Sequence, residues 1–200
     1  MPDGEPPAGY LLVHGWQHHQ PPGHWLVWLA AQLRSRGRSV AYPQLPDPDE
    51  PQLDAWLGEL RGQLQVAPTP SVVVCHSLGC LLWLQHAAGA GATAAVQRVV
   101  LVAPPDRSLL DQAPGLAPFF GPVRADQLAA TSRAVVRLVC SDNDPYCPSG
   151  AATEYGAALG LDVDLLPGRA HLDPDAGFGP WPAMLDWCLD PRTRLGAPEG

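Results

Sequence analysis

A chain of 200 residues, 46% hydrophobic and 16% charged, makes one domain of ordinary size with a sizeable core and no room for a second full domain. The formal net charge is −8 and the 12 Lys and Arg form no run, which argues against a nucleic-acid surface or an anionic-membrane patch and leaves a small molecule or another protein as partner. The chain opens without a basic region and apolar core, and no stretch approaches about 18 uninterrupted apolar residues, so a cytoplasmic protein without signal peptide or membrane span is expected. Oligomeric state is not legible.

Short apolar runs alternate with helical patterns along the chain, the signature of parallel β-α-β units. Residues 1–8, rich in Pro, Gly and charge, read as a disordered tail. A single domain then spans 9–190: strand Tyr10 to His14; helix His24 to Arg36, stopped by Gly37; strand Ser39 to Tyr42; helix Pro51 to Gln65; strand Ser71 to Cys75; and helix Leu78 to Ala88, fraying through Ala87 to Gly91. Strand Arg98 to Ala103 follows. Pro104 to Ser132, with five prolines and two glycines, reads as a loop carrying a short helix, Asp126 to Ala130, and not as a cap domain. Strand Val135 to Cys140, helix Gly150 to Leu159, strand Asp162 to Leu166 and helix Trp181 to Leu189 complete the domain, and residues 191–200 read as a second disordered tail. Right-handed crossovers would assemble these into a doubly wound, mainly parallel six-stranded sheet with helices on both faces.

Five cysteines, an odd count without a secretory signal, argue against a disulfide framework; Cys75, Cys140 and Cys188 read as small buried hydrophobes. None sits at a better corner for a nucleophile than Ser77 does. That serine follows the run Val72, Val73, Val74, Cys75, His76 and precedes a helix-forming segment. A strand-turn-helix elbow needs small residues two before and two after the serine, so that the backbone bends sharply and lifts Oγ above the sheet. Gly79 supplies the second; Cys75 stands at the first. The competing reading is an N-cap serine after a buried strand.

A nucleophilic serine needs a histidine to take its proton and an acid to hold that histidine. Behind the strand ending at Cys140 lies an acidic turn with Asp142 and Asp144, and behind the next strand lies His171. Carboxyl ends of strands are where doubly wound sheets place their sites. The order Ser, Asp, His is that of α/β-hydrolases. Asp142 and Asp106 compete with Asp144 for the acid's place.

These residues resemble the small α/β-hydrolase-fold serine hydrolases of the retinoblastoma-binding-protein-nine type, bacterial members in particular. The resemblance rests on His14, Gly15, Trp16 and Gln17; Gly23, His24 and Trp25; Pro46, Asp47 and Trp56; His76 to Cys80; Ser141, Asp144, Pro145 and Tyr146; and His171 with the run Ala176 to Pro182. It implies Ser77 as nucleophile, His171 as general base and then acid, and Asp144 as the orienting carboxylate, since Ser141 and Pro148 flank Asp144 at the spacing this fold uses for its acid. The two oxyanion donors are then the backbone N–H groups of Leu78 and Trp16. Three departures stand out: Cys75 for a small Gly or Ala, Ala170 for the Gly before the histidine, and Asp173 where Asn is common.

His14, His18, His19 and His24 fall within eleven residues and invite a metal reading, but Gln20 to Gly23 break the geometry and His24 belongs to the family pattern. His18 and His19 are instead expected to rim the substrate pocket. Five of the seven tryptophans lie in helical patterns and read as core, whereas Phe119 and Phe120 fall in the loop that hangs over the nucleophile and are candidates for an acyl or alcohol pocket. The expected activity is hydrolysis of small carboxylic esters or related acyl compounds, with no metal and no cofactor. A partner-binding role on the same fold, or an amidase or peptidase, are the alternatives.

Overall fold

The computed structural model describes residues 9–66, 70–89 and 96–198. The first expected tail and the end of the fraying segment lie outside them. Six strands, β1 (Gly9–Val13), β2 (Ser39–Ala41), β3 (Val72–His76), β4 (Val96–Val102), β5 (Ser132–Cys140) and β6 (Asp162–Leu165), form one sheet in the order β2-β1-β3-β4-β5-β6. Every neighbouring pair is parallel. The helices are α1 (Trp25–Ser35), α2 (Leu53–Gln65), α3 (Leu78–Ala88), α4 (Ala125–Ala129) and α5 (Pro182–Leu189). None is long and apolar enough to cross a membrane.

Side chains alternate across the sheet and so divide the core in two. Leu11 and Val13 of β1, Val73 and Cys75 of β3, Val99 and Leu101 of β4, and Leu138 and Cys140 of β5 pack with Trp56, Leu57 and Leu60 of α2 and the buried residues of α3. Their sequence neighbours Tyr10, Leu12, Val72, Val74, Val100, Val102 and Val139 pack on the opposite face with Trp25, Leu26, Leu29 and Leu33 of α1 and Met184, Trp187 and Cys188 of α5. Because both faces are covered, the central strands are continuous hydrophobic runs, as in Val72 to Cys75.

Three segments differ from their sequence reading. The stretch read as a helix from Gly150 to Leu159 contains a π-helical segment, Ala152–Ala157, in which Gly156 lies against β6: a Cβ there would sit 2.8 Å from Val163 Cγ2. Between β4 and β5 the chain forms two 3-10 segments, Arg107–Asp111 and Pro114–Phe120, before α4, and builds no cap domain. The third is a correction. Residues 191–198 are not a loose tail: Leu195 is buried, its amide bonds Asp164 Oδ2 at 3.2 Å, and Trp181 Nε1 donates to the Gly196 carbonyl. Arg137 on β5, buried, bonds Asp162 and Asp164 of β6 and the Thr193 carbonyl, while Arg194 bonds the same two carboxylates from outside. Composition hid this because one leucine and a few charges carry the docking.

Candidate active site

The sheet reverses direction of growth between β1 and β3, the switch point at whose carboxyl ends doubly wound sheets place their sites. Ser77 stands there, between the end of β3 and the first turn of α3. Its backbone is held at φ 55°, ψ −128°, a conformation uncommon for a residue with a Cβ, and its side chain makes no cap bond to α3, which disfavours the N-cap reading. Gly79 explains how the helix can start so close to the sheet: a Cβ there would lie 2.6 Å from the His14 carbonyl and 2.8 Å from that of Val13. Only glycine fits without movement.

Cys75 does not prevent the turn. Its side chain is fully buried in the core on the α2 and α3 face, and burial pushes its thiol well above the ordinary range. Cys80 Sγ donates to the Cys75 carbonyl at 3.4 Å and the Val102 carbonyl at 3.2 Å, tying α3 to β3 and β4 below the elbow.

Ser77, His171 and Asp144 come together. Ser77 Oγ lies 2.9 Å from His171 Nε2, and His171 Nδ1 lies 2.9 Å and 3.0 Å from the two oxygens of Asp144. Asp144 is 3% exposed and accepts a further bond from the Tyr146 amide, and the Tyr146 ring packs edge-on to His171 with centroids 4.6 Å apart. Water is thereby kept from the carboxylate.

The two competing carboxylates are committed elsewhere. Asp142 Oδ1 accepts the Gly168 amide. Asp106 caps the segment Arg107–Asp111 through the Ser108 amide and holds the Ser149 amide and hydroxyl, 43 residues away. Two anchors escaped the sequence reading: Ser141 Oγ accepts the Arg169 amide and Asn143 Oδ1 the Ala170 amide, so the acid turn grips the histidine loop residue by residue. Single polar residues in a turn carry no sequence signal for a partner about 27 positions on. Ala170, at φ 42°, adopts the left-handed backbone that a glycine would adopt more readily, and Leu172 does so at φ 53°.

On the other side of Ser77 runs the loop after β1. Gly15 approaches Ser77 and the Leu78 amide closely. The Leu78 and Trp16 amides make no backbone hydrogen bond among the described residues, whereas the neighbouring Gln17 amide bonds the Pro48 carbonyl. Trp16 Nε1 donates to the Asp49 carbonyl, fixing the ring beside the loop.

Five imidazoles form a contiguous array through this loop, the elbow and the histidine loop, in which His14 and His18 stack and the other contacts are edge-on or tilted. Ring centroids are 4.9 Å apart for His14 and His18, 4.6 Å for His18 and His24, 5.3 Å for His24 and His76, and 5.0 Å for His76 and His171. His14 Nε2 accepts the Leu45 amide, so its Nδ1 carries the proton and donates to the Gly15 carbonyl. His24 Nδ1 accepts the Leu26 amide and caps α1. Burial pushes His14 and His24 down to about 4 and His18 to about 2, and holds His76 well below the ordinary imidazole value. Among the described residues, no group of three or more His, Cys, Asp or Glu is arranged to hold a metal ion.

Three expected pocket residues need correcting. His18 does not rim an open pocket: it is buried and its Nε2 lies 2.6 Å from the Tyr42 hydroxyl. Phe119 packs edge-on against Trp56 with centroids 5.4 Å apart, and Phe120 lies under the Arg107 guanidinium. Both phenylalanines are core residues, drawn in because an apolar pair in a proline-bent 3-10 segment gains more from burial than from exposure over a crevice. His19 is exposed and pairs with Asp49 at 3.0 Å.

The chain is 31% identical over 78 residues to YdeN of Bacillus subtilis, which carries the name of a hydrolase; the match spans 38% of this chain and 40% of that protein. The solved YdeN structure superposes with a TM-score of 0.74 at 21% identity, covering 89% of this chain and 95% of that one. A YdeN-like hydrolase from Pectobacterium atrosepticum gives 0.65 at 21% identity over 90% and 88%, and a monoacylglycerol lipase from Paleococcus ferrophilus gives 0.62 at 15% over 90% and 93%. Their likeness shows the α/β-hydrolase fold. The serine hydrolase family pattern matches residues 10–188, nearly the whole described domain, and the chain belongs to that family.

Proposed function

We propose that the protein hydrolyses small carboxylic esters or related acyl compounds through an acyl-enzyme on Ser77, as a small hydrolase of the retinoblastoma-binding-protein-nine type. The observation that carries this reading is the unbroken hydrogen-bonded line from Asp144 through His171 to Ser77 Oγ. His171 Nε2 takes the Ser77 proton as Oγ attacks the substrate carbonyl, and Asp144 keeps the proton on Nδ1 and stabilises the imidazolium that forms. The carbonyl oxygen turns towards the Leu78 and Trp16 amides, which carry its developing charge. Collapse expels the alcohol with the proton from His171. Water, deprotonated by the same nitrogen, then attacks the acyl group, releases the acid and restores Ser77.

Small substrates are favoured because the 103–131 connection packs into the core instead of building a chamber over the elbow. The likeness to a monoacylglycerol lipase supports ester chemistry on this fold. Labelling with a fluorophosphonate tests the reading: the native protein should be modified at Ser77 and Ser77→Ala should not. Folded native protein that resists the probe would overturn it. Nitrophenyl esters of increasing acyl length test the substrate class, with acetate and butyrate expected to exceed long chains in kcat/KM.

A further inference from the structure

The nucleophile's immediate neighbour also reaches the base. His76 Nε2 lies 3.1 Å from the His171 carbonyl oxygen, and a carbonyl can only accept, so His76 donates from Nε2. The ring is wedged between His24, Trp25 and His171, at centroid distances of 5.3, 5.5 and 5.0 Å. Those are the groups that face it from α1 and from the histidine loop, with His18 behind His24.

The backbone that this bond holds is strained. His171 sits between Ala170 and Leu172, both non-glycine residues with left-handed φ. Such residues persist only where the surroundings over-determine them. On the amino-terminal side the amides of Gly168, Arg169 and Ala170 are held by the acid turn, and on the carboxyl-terminal side the Leu172 carbonyl accepts from Trp25 Nε1. The carbonyl of His171 itself is held by His76. Because His76 and Ser77 are consecutive, this tether moves with the nucleophile: a single residue links the strand that presents Oγ to the backbone that presents Nε2.

We propose that His76 is a positioning residue, whose bond to the His171 carbonyl sets the reach and angle of the His171 ring towards Ser77. The inference rests on the hydrolytic reading of Ser77. A tether lost here frees the carbonyl of His171 itself while its neighbours stay held, and a misplacement of about 1 Å at a reacting group costs on the order of 100-fold.

The test compares His76→Phe, which keeps a planar ring and loses the donor, with His76→Gln, whose side-chain amide can donate from about the same place. Both are assayed on a nitrophenyl ester together with a melting curve. His76→Phe should lose about 10- to 100-fold in kcat with little change in KM, and His76→Gln should recover most of that loss. A residue that only fills space would lower the melting temperature and leave kcat of the folded protein alone. Equal kcat in wild type and folded His76→Phe, or a Gln variant as slow as the Phe variant, would overturn the proposal. Should the Phe variant not fold, imidazole ¹⁵N NMR of the wild type decides: a His76 protonated on Nε2 supports the tether, and a proton on Nδ1 alone overturns it. Wild type that takes up no fluorophosphonate would sink the hydrolytic reading instead, so the two failures are told apart.

Discussion

Gly15 and Ser77 touch across two loops: a Cβ built on Gly15 would lie 2.7 Å from Ser77 Cβ and 3.1 Å from the Leu78 amide nitrogen. The loop after β1 thus reaches the elbow only because residue 15 has no side chain. Gly15→Ala must push the loop away from Ser77 and separate the Trp16 and Leu78 amides. We expect kcat/KM to fall on the order of 100-fold, the cost typical of losing an oxyanion donor, with the melting temperature little changed. Ester hydrolysis and a melting curve on the same preparation check it; an active Gly15→Ala would show that the loop does not form the hole.

The three carboxylates make a sharper test of the site. Asp144→Asn retains shape but no longer favours the proton on His171 Nδ1, and should reduce kcat by about 10³- to 10⁴-fold. Asp142→Asn retains an oxygen for the Gly168 amide and should stay near wild type, while Asp106→Asn should disturb stability more than rate, since its carboxylate joins the Arg107–Asp111 segment to Ser149. The ranking comes from kcat measured on all three. An Asp142 variant slower than the Asp144 variant would move the acid.

Stability should depend on pH through the imidazole array. His14 and His24, at about 4 in the fold, are neutral there and charge near the ordinary value of about 6.5 once unfolded. The folded value is the lower one, so the unfolded state binds protons first on acidification: the stabilising contribution is complete above about pH 6.5 and is lost as the pH falls towards 4. Each ring also accepts a backbone amide, from Leu45 or Leu26, at the nitrogen that would be protonated. The loss should be on the order of 1–3 kcal/mol per ring by pH 4. Chemical denaturation between pH 8 and 4.5 reads it; a flat profile would mean that these rings are not held neutral.

The carboxyl-terminal segment should stabilise the sheet edge. Leu195→Ala removes a buried side chain and should cost about 2 kcal/mol or more. Ending the chain after Asp190 should cost more, because Arg137 then loses the Thr193 carbonyl and Asp164 the Leu195 amide. Melting temperatures of both variants check this, with Ser77 labelling expected to persist in the folded fraction.

By itself the sequence determined the architecture and named the residues of the candidate site. Runs such as Val72 to Cys75 are apolar on both faces because the parallel sheet is covered on both sides, and the local bend at Ser77 is set by residues within two positions of it. These are short-range constraints, and Gly79 and the order Ser77, Asp144, His171 express them. Tertiary structure decided what depends on distant partners. Which aspartate faces His171 was settled by amides 26 to 43 residues away that claimed Asp142 and Asp106. The packing of Phe119 and Phe120 was settled by Trp56 and Arg107, the burial of His18 by Tyr42, and the docking of residues 191–198 by Arg137 and Asp164. His18, Phe119, Phe120 and residues 191–198 all lie in stretches that read as loop or tail. Their places follow only from the partners that the fold brings to them.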